Sequence, residues 1–158
     1  MPSPSPRSGS DPGDSLRAVA PAADGTAWAV GSTCTTDNRC DTLILRWNGT
    51  TWTQVPGPSP GTWDSLEDVS AAPDGTAWAV GGSCSGGGCS ATQDATETAL
   101  ILHWNGTAWT QVPSPNPGHV PYYLHGVATG PAGSGWAVGG TSPAFTPAGV
   151  IVGWHPVR

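Results

Sequence analysis

Four ionisable side chains in this sequence have the types that acid–base chemistry on a glycoside would need: Asp64, Glu67, Asp68 and His125. The string WDSLED sets three carboxylates within five residues, and two carboxylates flanking a glycosidic bond serve as acid and as base or nucleophile. Closeness in sequence does not fix their separation in space, so a glycosidase-like enzyme stands as an alternative function. The chain contains no nucleophile elbow, phosphate-binding loop or metalloprotease motif.

The four cysteines fall in two close pairs, Cys34 with Cys40 and Cys84 with Cys89. Four thiols allow three pairings, and a local bond inside each loop fits the repeated placement best. Closing so short a loop stabilises by roughly 2 kcal/mol in the chain-entropy view. Zinc is the rival reading, but TCTTDNRC puts five residues between its cysteines where structural sites usually have two to four. Calcium on Asp37, Asp41, Asp94 or Glu97 lacks an EF-hand spacing. The expectation is therefore two disulfides with no metal and no cofactor, in an oxidising compartment.

These residues sit on a framework that repeats. WAVG occurs at Trp28, Trp78 and Trp136, and an apolar run ending in tryptophan occurs at Trp47, Trp104 and Trp154. Spacings of 50 and 58 residues in the first set, and of 57 and 50 in the second, indicate stacked supersecondary units. Each unit reads as four strands: SLRAVAP, TAWAVG, LILRW and TWTQVP, with counterparts such as SLEDVSA and LILHW. Asp24-Gly25 and Asp74-Gly75 predict a tight first turn with φ > 0 at both central positions, and Asn48-Gly49 and Asn105-Gly106 predict the second. The Asn-Gly-Thr strings at Asn48 and Asn105 also match a glycosylation pattern, but both lie where a hairpin needs Asn-Gly.

Four antiparallel strands, with an apolar third strand covered on both faces, describe a β-propeller blade stacked between neighbours. Eight of the nine tryptophans recur in register and read as core between blades; Trp63 is the exception. The expected fold is all-β, with a Pro/Ser/Gly-rich linker over 1–14 and blades over 15–64, 65–123 and 124–158, the last lacking its fourth strand. From WAVG through LILHWNGTAWTQVPSPNP, residues 15 to 158 resemble the tryptophan-rich, kelch-like β-propeller repeats of exported actinobacterial proteins. That resemblance implies the fold and transfers no catalytic residue.

In such a meander the tight turns lie at one end and the long, variable connections at the other. Variable loops on a rigid scaffold are where binding residues accumulate. That end would carry Trp63, His119, Tyr122 and Tyr123, off-repeat aromatics suited to stacking on a sugar ring or an apolar side chain. The first strand of a propeller blade lines the central channel, and its matching positions hold Arg17, Glu67 and His125. These seven are the candidate ligand-binding residues.

Eleven carboxylates against five arginines give a formal charge of -6, which argues against nucleic acid and anionic membrane as partners. No apolar run approaches a membrane span, and MPSPSPRSGSDPGD has no apolar core of a signal peptide, so the cysteines suggest a piece of a longer exported protein. The leading expectation is a non-enzymatic, extracellular or cell-surface module that binds a carbohydrate or protein at its variable-loop end. The alternative is a structural, self-assembling scaffold, and three blades predict a dimer that completes a ring. Peptide mapping without reduction is expected to join Cys34 to Cys40 and Cys84 to Cys89; bonds between repeats would contradict the local-loop reading.

Overall fold

The computed structural model describes residues 13–85, 96–114, 122–130, 133–141 and 149–154. β1 (Gly13–Pro21) pairs antiparallel with β2 (Ala27–Cys34), β2 with β3 (Cys40–Trp47), and β3 with the short β4 (Trp52–Gln54). The second repeat follows the same order with β5 (Trp63–Ala71), β6 (Ala77–Ser85), β7 (Thr96–Trp104) and β8 (Trp109–Gln111). The third gives β9 (Tyr122–Thr129), β10 (Gly135–Thr141) and β11 (Gly149–Trp154) as a separate three-stranded sheet. A single parallel bridge between Cys40 and Trp63 joins the first two repeats into one eight-stranded sheet. The chain is all-β, and no α-helix occurs among the described residues.

The first strands of the first two repeats run two residues ahead of the expected strings SLRAVAP and SLEDVSA, from Gly13 and Trp63, and that of the third begins at Tyr122. The first strand stays paired along the whole second strand, with Gly13 opposite Cys34, Trp63 opposite Cys84 and Tyr122 opposite Thr141. The tight turns also differ from expectation. Gly25 and Gly75 have φ of +81° and +86°, but Asn38 is the one non-glycine with positive φ among the described residues, so Asp24 and Asp74 do not share the left-handed region. Gly25 N–H donates to the Ala22 carbonyl, while Asp24 Oδ1 accepts from the Thr26 amide at 3.0 Å and the Thr26 hydroxyl at 2.6 Å. Asp74 and Thr76 repeat this arrangement. The carboxylate stabilises a turn that needs only one left-handed residue, the glycine. These bonds, the threonine hydroxyl first, hold both carboxyls below their ordinary range.

The core lies between the repeats rather than within them. Strand alternation sends Trp28, Val30 and Ile44 of the first repeat onto Leu66, Val69, Ala79, Leu100, Leu102, Trp104 and Trp109 of the second. The opposite face of the second repeat sends Trp78, Val80 and Ile101 onto Tyr122, Leu124, Ala137, Val150 and Val152 of the third. Repeated residues therefore play repeated parts. The three repeats pack face against face, and the middle one is covered on both sides.

A β-bulge interrupts the first strand of every repeat at the same point. The register of β1 on β2 jumps between Leu16 and Ala18, that of β5 on β6 between Leu66 and Asp68, and that of β9 on β10 passes over His125. The bulge presses a first-strand carbonyl against the last residue of WAVG. A Cβ on Gly31, Gly81 or Gly139 would lie 1.8, 1.9 and 1.9 Å from the carbonyl oxygens of Ser15, Ser65 and Tyr123. Only glycine fits there, which accounts for the fourth letter of the motif. Gly81→Ala is expected to cost about 2 kcal/mol or more in urea unfolding, as backbone overpacking does. Gly149→Ala, whose Cβ would meet nothing within 4 Å, is expected to stay within about 0.5 kcal/mol of wild type.

Candidate functional site

The three bulges set Arg17, Glu67 and His125 at equivalent points of β1, β5 and β9, each as the extra residue that the ladder leaves unpaired. Bulges re-aim side chains, and here they turn three chemically different groups out of an otherwise repeated framework. β5 packs against both β1 and β9. Arg17 Nη1 lies 3.9 Å from Glu67 Oε2, and the Ser65 hydroxyl donates to Glu67 Oε1 at 2.9 Å. On the neighbouring strand the Tyr123 ring meets His125 edge-on, with centroids 4.5 Å apart. Arg17 and His125 are exposed and Glu67 is half-buried, so the cluster offers a cation, an anion and an imidazole to solvent.

The remaining carboxylates of the proposed acid–base set are engaged by the fold. Asp68 Oδ2 accepts from the Val127 amide at 2.8 Å and Oδ1 from the Val69 amide at 2.9 Å, which ties β5 to β9. The Ser70 and Thr129 hydroxyls, 2.9 Å apart, form a second tie between the same strands. Asp64 is fully buried, and both its oxygens face the Gly61 amide, at 2.9 and 3.2 Å. Burial pushes its carboxyl above the ordinary range against the opposing effects of the Ser83 hydroxyl and the Gly61 amide. Asp64 anchors the segment that links the first two repeats, and Asp68 fastens the second to the third. Of the acid–base set, Asp64 alone is buried, Glu67 and Asp68 are half-buried, and His125 is exposed.

The long-connection end holds the other candidates. Trp63 opens β5, half-buried, opposite Cys84 on one side and bridged to Cys40 on the other. It stands four residues from Glu67 along the strand, or about 13 Å. Tyr122 takes the register position of Asp64 in the third repeat, one residue from that of Trp63, and is buried in the core with its hydroxyl bonded to Ser114, so it presents no stacking face to solvent. His119 lies outside the described residues. Cys34 and Cys40 are bridged, closing the β2–β3 connection, as an oxidising compartment allows. Cys84 is disulfide-bonded as well, and its expected partner Cys89 lies outside the described residues.

Sequence reasoning missed a polar groove beside that disulfide. About 670 Å³ in volume, it is lined by Thr33, Asp41, Thr42, Gln54, Pro56 and Ser59 among others. Ser59 receives the Thr42 amide at 2.9 Å, so the proline-rich join is fastened to β3. The serine in PGPSP was the available signal, hidden among residues that read as linker. Of the considered calcium ligands, Asp41 pairs with Arg39 at 3.1 Å, Asp94 is outside the described residues, and nothing is described of the Glu97 side chain. No cluster of three metal-ligating side chains occurs among the described residues. No helix among them is long and apolar enough to cross a membrane.

Neither a scan against protein-family models nor a search of curated proteins finds a match for this chain.

The buried Asp64 supplies a pH test of this geometry. Its folded-state pKa lies above the unfolded one, so its stabilising contribution is complete below the ordinary carboxylate range and is lost as pH rises through the folded-state value. Asp64→Asn cannot ionise. The stability of wild type minus that of the variant is expected to fall as pH rises above the ordinary carboxylate range, about pH 4. A difference that grows as pH rises would contradict the buried, desolvated carboxyl.

Proposed function

We propose that the chain is a recognition module of the β-propeller type, three blades of the tryptophan-rich, kelch-like class, which binds without catalysis and works outside the cell. The observation that carries this reading is the contrast at the three bulges. The backbone device and its glycine repeat without change, whereas the side chain presented is Arg17, Glu67 or His125. A scaffold that only packs has no need of three chemistries at one repeated point. A ligand that offers both donors and acceptors would use all three.

The ligand class that suits this surface is a carbohydrate or a protein segment. Arg17 and Glu67 supply directional hydrogen bonds, His125 and Tyr123 add ring faces, and Trp63 supplies a large apolar plane with an N–H handle nearer the loop end. The disulfide beside Trp63 fixes the loop against which a ligand would settle and fits an extracellular setting. A second reading, a self-assembling structural scaffold, draws support from large apolar side chains left exposed on the third repeat, Trp136 foremost.

A glycan array, followed by titration of the best binder, tests the leading reading. Trp63→Ala and Glu67→Gln are each expected to weaken binding about tenfold, or ~1.4 kcal/mol, with the fold intact by circular dichroism. Affinity untouched by both variants and by His125→Ala would contradict it. Turnover of a chromogenic glycoside that Glu67→Gln abolishes would put a glycosidase in its place.

A further inference from the structure

The two interfaces inside the chain follow one rule, and that rule identifies the partner of the two faces left over. At the first interface the Trp28 ring lies against Trp104 and Trp109, with centroids 4.9 and 5.0 Å away. Those two rings form a pair, 5.9 Å apart and inclined at 49°. Trp47 and Trp52 are their counterparts in the first repeat, 5.7 Å apart and inclined at 46°. The receiving pair is thus already formed on the first repeat, half-buried, with no second-strand tryptophan of a preceding repeat among the described residues to fill it.

The inserting side chains are exposed at the other end. Trp28 and Trp78 are 3% and 8% exposed, but their counterpart Trp136 is 53% exposed. Val30 and Val80 are fully buried while Val138 is 49% exposed, and Ile44 and Ile101 are buried while Ile151 is 72% exposed. The receiving face shows the same contrast. Leu66 and Val69 are covered by the first repeat, whereas Leu16 and Val19 are 44% and 64% exposed. A groove of about 340 Å³ runs between Leu16, Val19, Ala29, Leu45 and Trp52. Their counterparts Leu66, Val69, Ala79, Leu102 and Trp109 share one buried cluster with Trp28, Val30 and Ile44.

We propose that a second copy of this chain covers both faces: Trp136, Val138 and Ile151 of one copy enter the groove and the Trp47–Trp52 pair of the other, and the reverse. The contact is head-to-tail, because the two faces are different surfaces that match each other. Two such contacts related by a two-fold axis join six repeats, a number within the four to eight of closed propellers. The occupant is a second copy because the complement of each exposed face is carried, itself exposed, on the same chain. This inference rests on the stacking of the repeats and not on which ligand the loop end takes.

Light scattering during gel filtration at micromolar concentration is expected to give twice the 15.9 kDa chain mass. Val19→Glu spoils the receiving face and Ile151→Glu the inserting face, and both side chains are exposed enough for the single chain to keep its fold, checked by near-UV circular dichroism. Each variant alone is expected to be a monomer, with at least a hundredfold loss of self-affinity. An equimolar mixture is expected to recover a heterodimer, since one intact inserting face then meets one intact receiving face. A monomeric wild type would overturn the proposal, as would open-ended polymers or a variant that dimerises as wild type does, which would mean a like-on-like contact.

Discussion

The fold depends on the burial of the second-strand tryptophan of each of the first two repeats by the repeat that follows. A four-stranded meander has two faces and cannot cover either by itself, so Trp28 is buried only because Trp104 and Trp109 meet it from the next sheet. Trp78 is covered in the same way by Trp154, 4.2 Å away, while its other side rests on His103 at 4.3 Å. Each ring removes on the order of 150–250 Å² from water, an upper estimate of about 4–6 kcal/mol. Arg46 takes the place of His103 beneath Trp28, with its guanidinium 5.2 Å from the ring centre. Burial pushes the His103 imidazole below its ordinary range, so that stack is built on the neutral form.

Stacking of this kind leaves the strand ends and the first strands free to vary. The bulge fixes the backbone by steric fit against Gly31, Gly81 and Gly139, which makes the side chain at the bulge independent of the packing beneath it. Position and chemistry are thereby separated: the framework decides where Arg17, Glu67 and His125 point, and nothing in the framework dictates what they are. The same economy appears one residue later. Ala18, Asp68 and Gly126 are equivalent, yet only Asp68 has a carboxylate to reach the Val127 amide across the interface. Local polar ties thus differ among repeats while the apolar stack does not.

Much of this was legible in the sequence because it rests on short-range periodicity. The repeated WAVG and LILRW strings, the strand order and the Cys34–Cys40 bond all follow from spacing within a few residues. What was not legible depends on contacts across repeats. Tyr122 reads as an off-repeat aromatic, but pairing places it at the register position of the buried Asp64 and inside the core. Asp64 and Asp68 read as members of an acid–base set with Glu67 and His125, yet their amide partners lie in the join between repeats and on a neighbouring sheet. The turn geometry was misjudged for a related reason: the Thr26 hydroxyl, two residues beyond Asp24, makes a second left-handed residue unnecessary.

Hydrogen exchange resolved by strand tests the central claim most directly, that each sheet is held by its neighbours' faces. Amides that open only with a covered face exchange far more slowly than those on an open one. In the Ile151→Glu chain, β6 and β7 are expected to exchange slowest, because the middle repeat is covered on both faces. β2 and β10, each open on one face, are expected to exchange faster, and in wild type that gap is expected to close. Equal protection of β2, β6 and β10 in the variant, or an unchanged gap in wild type, would contradict the account.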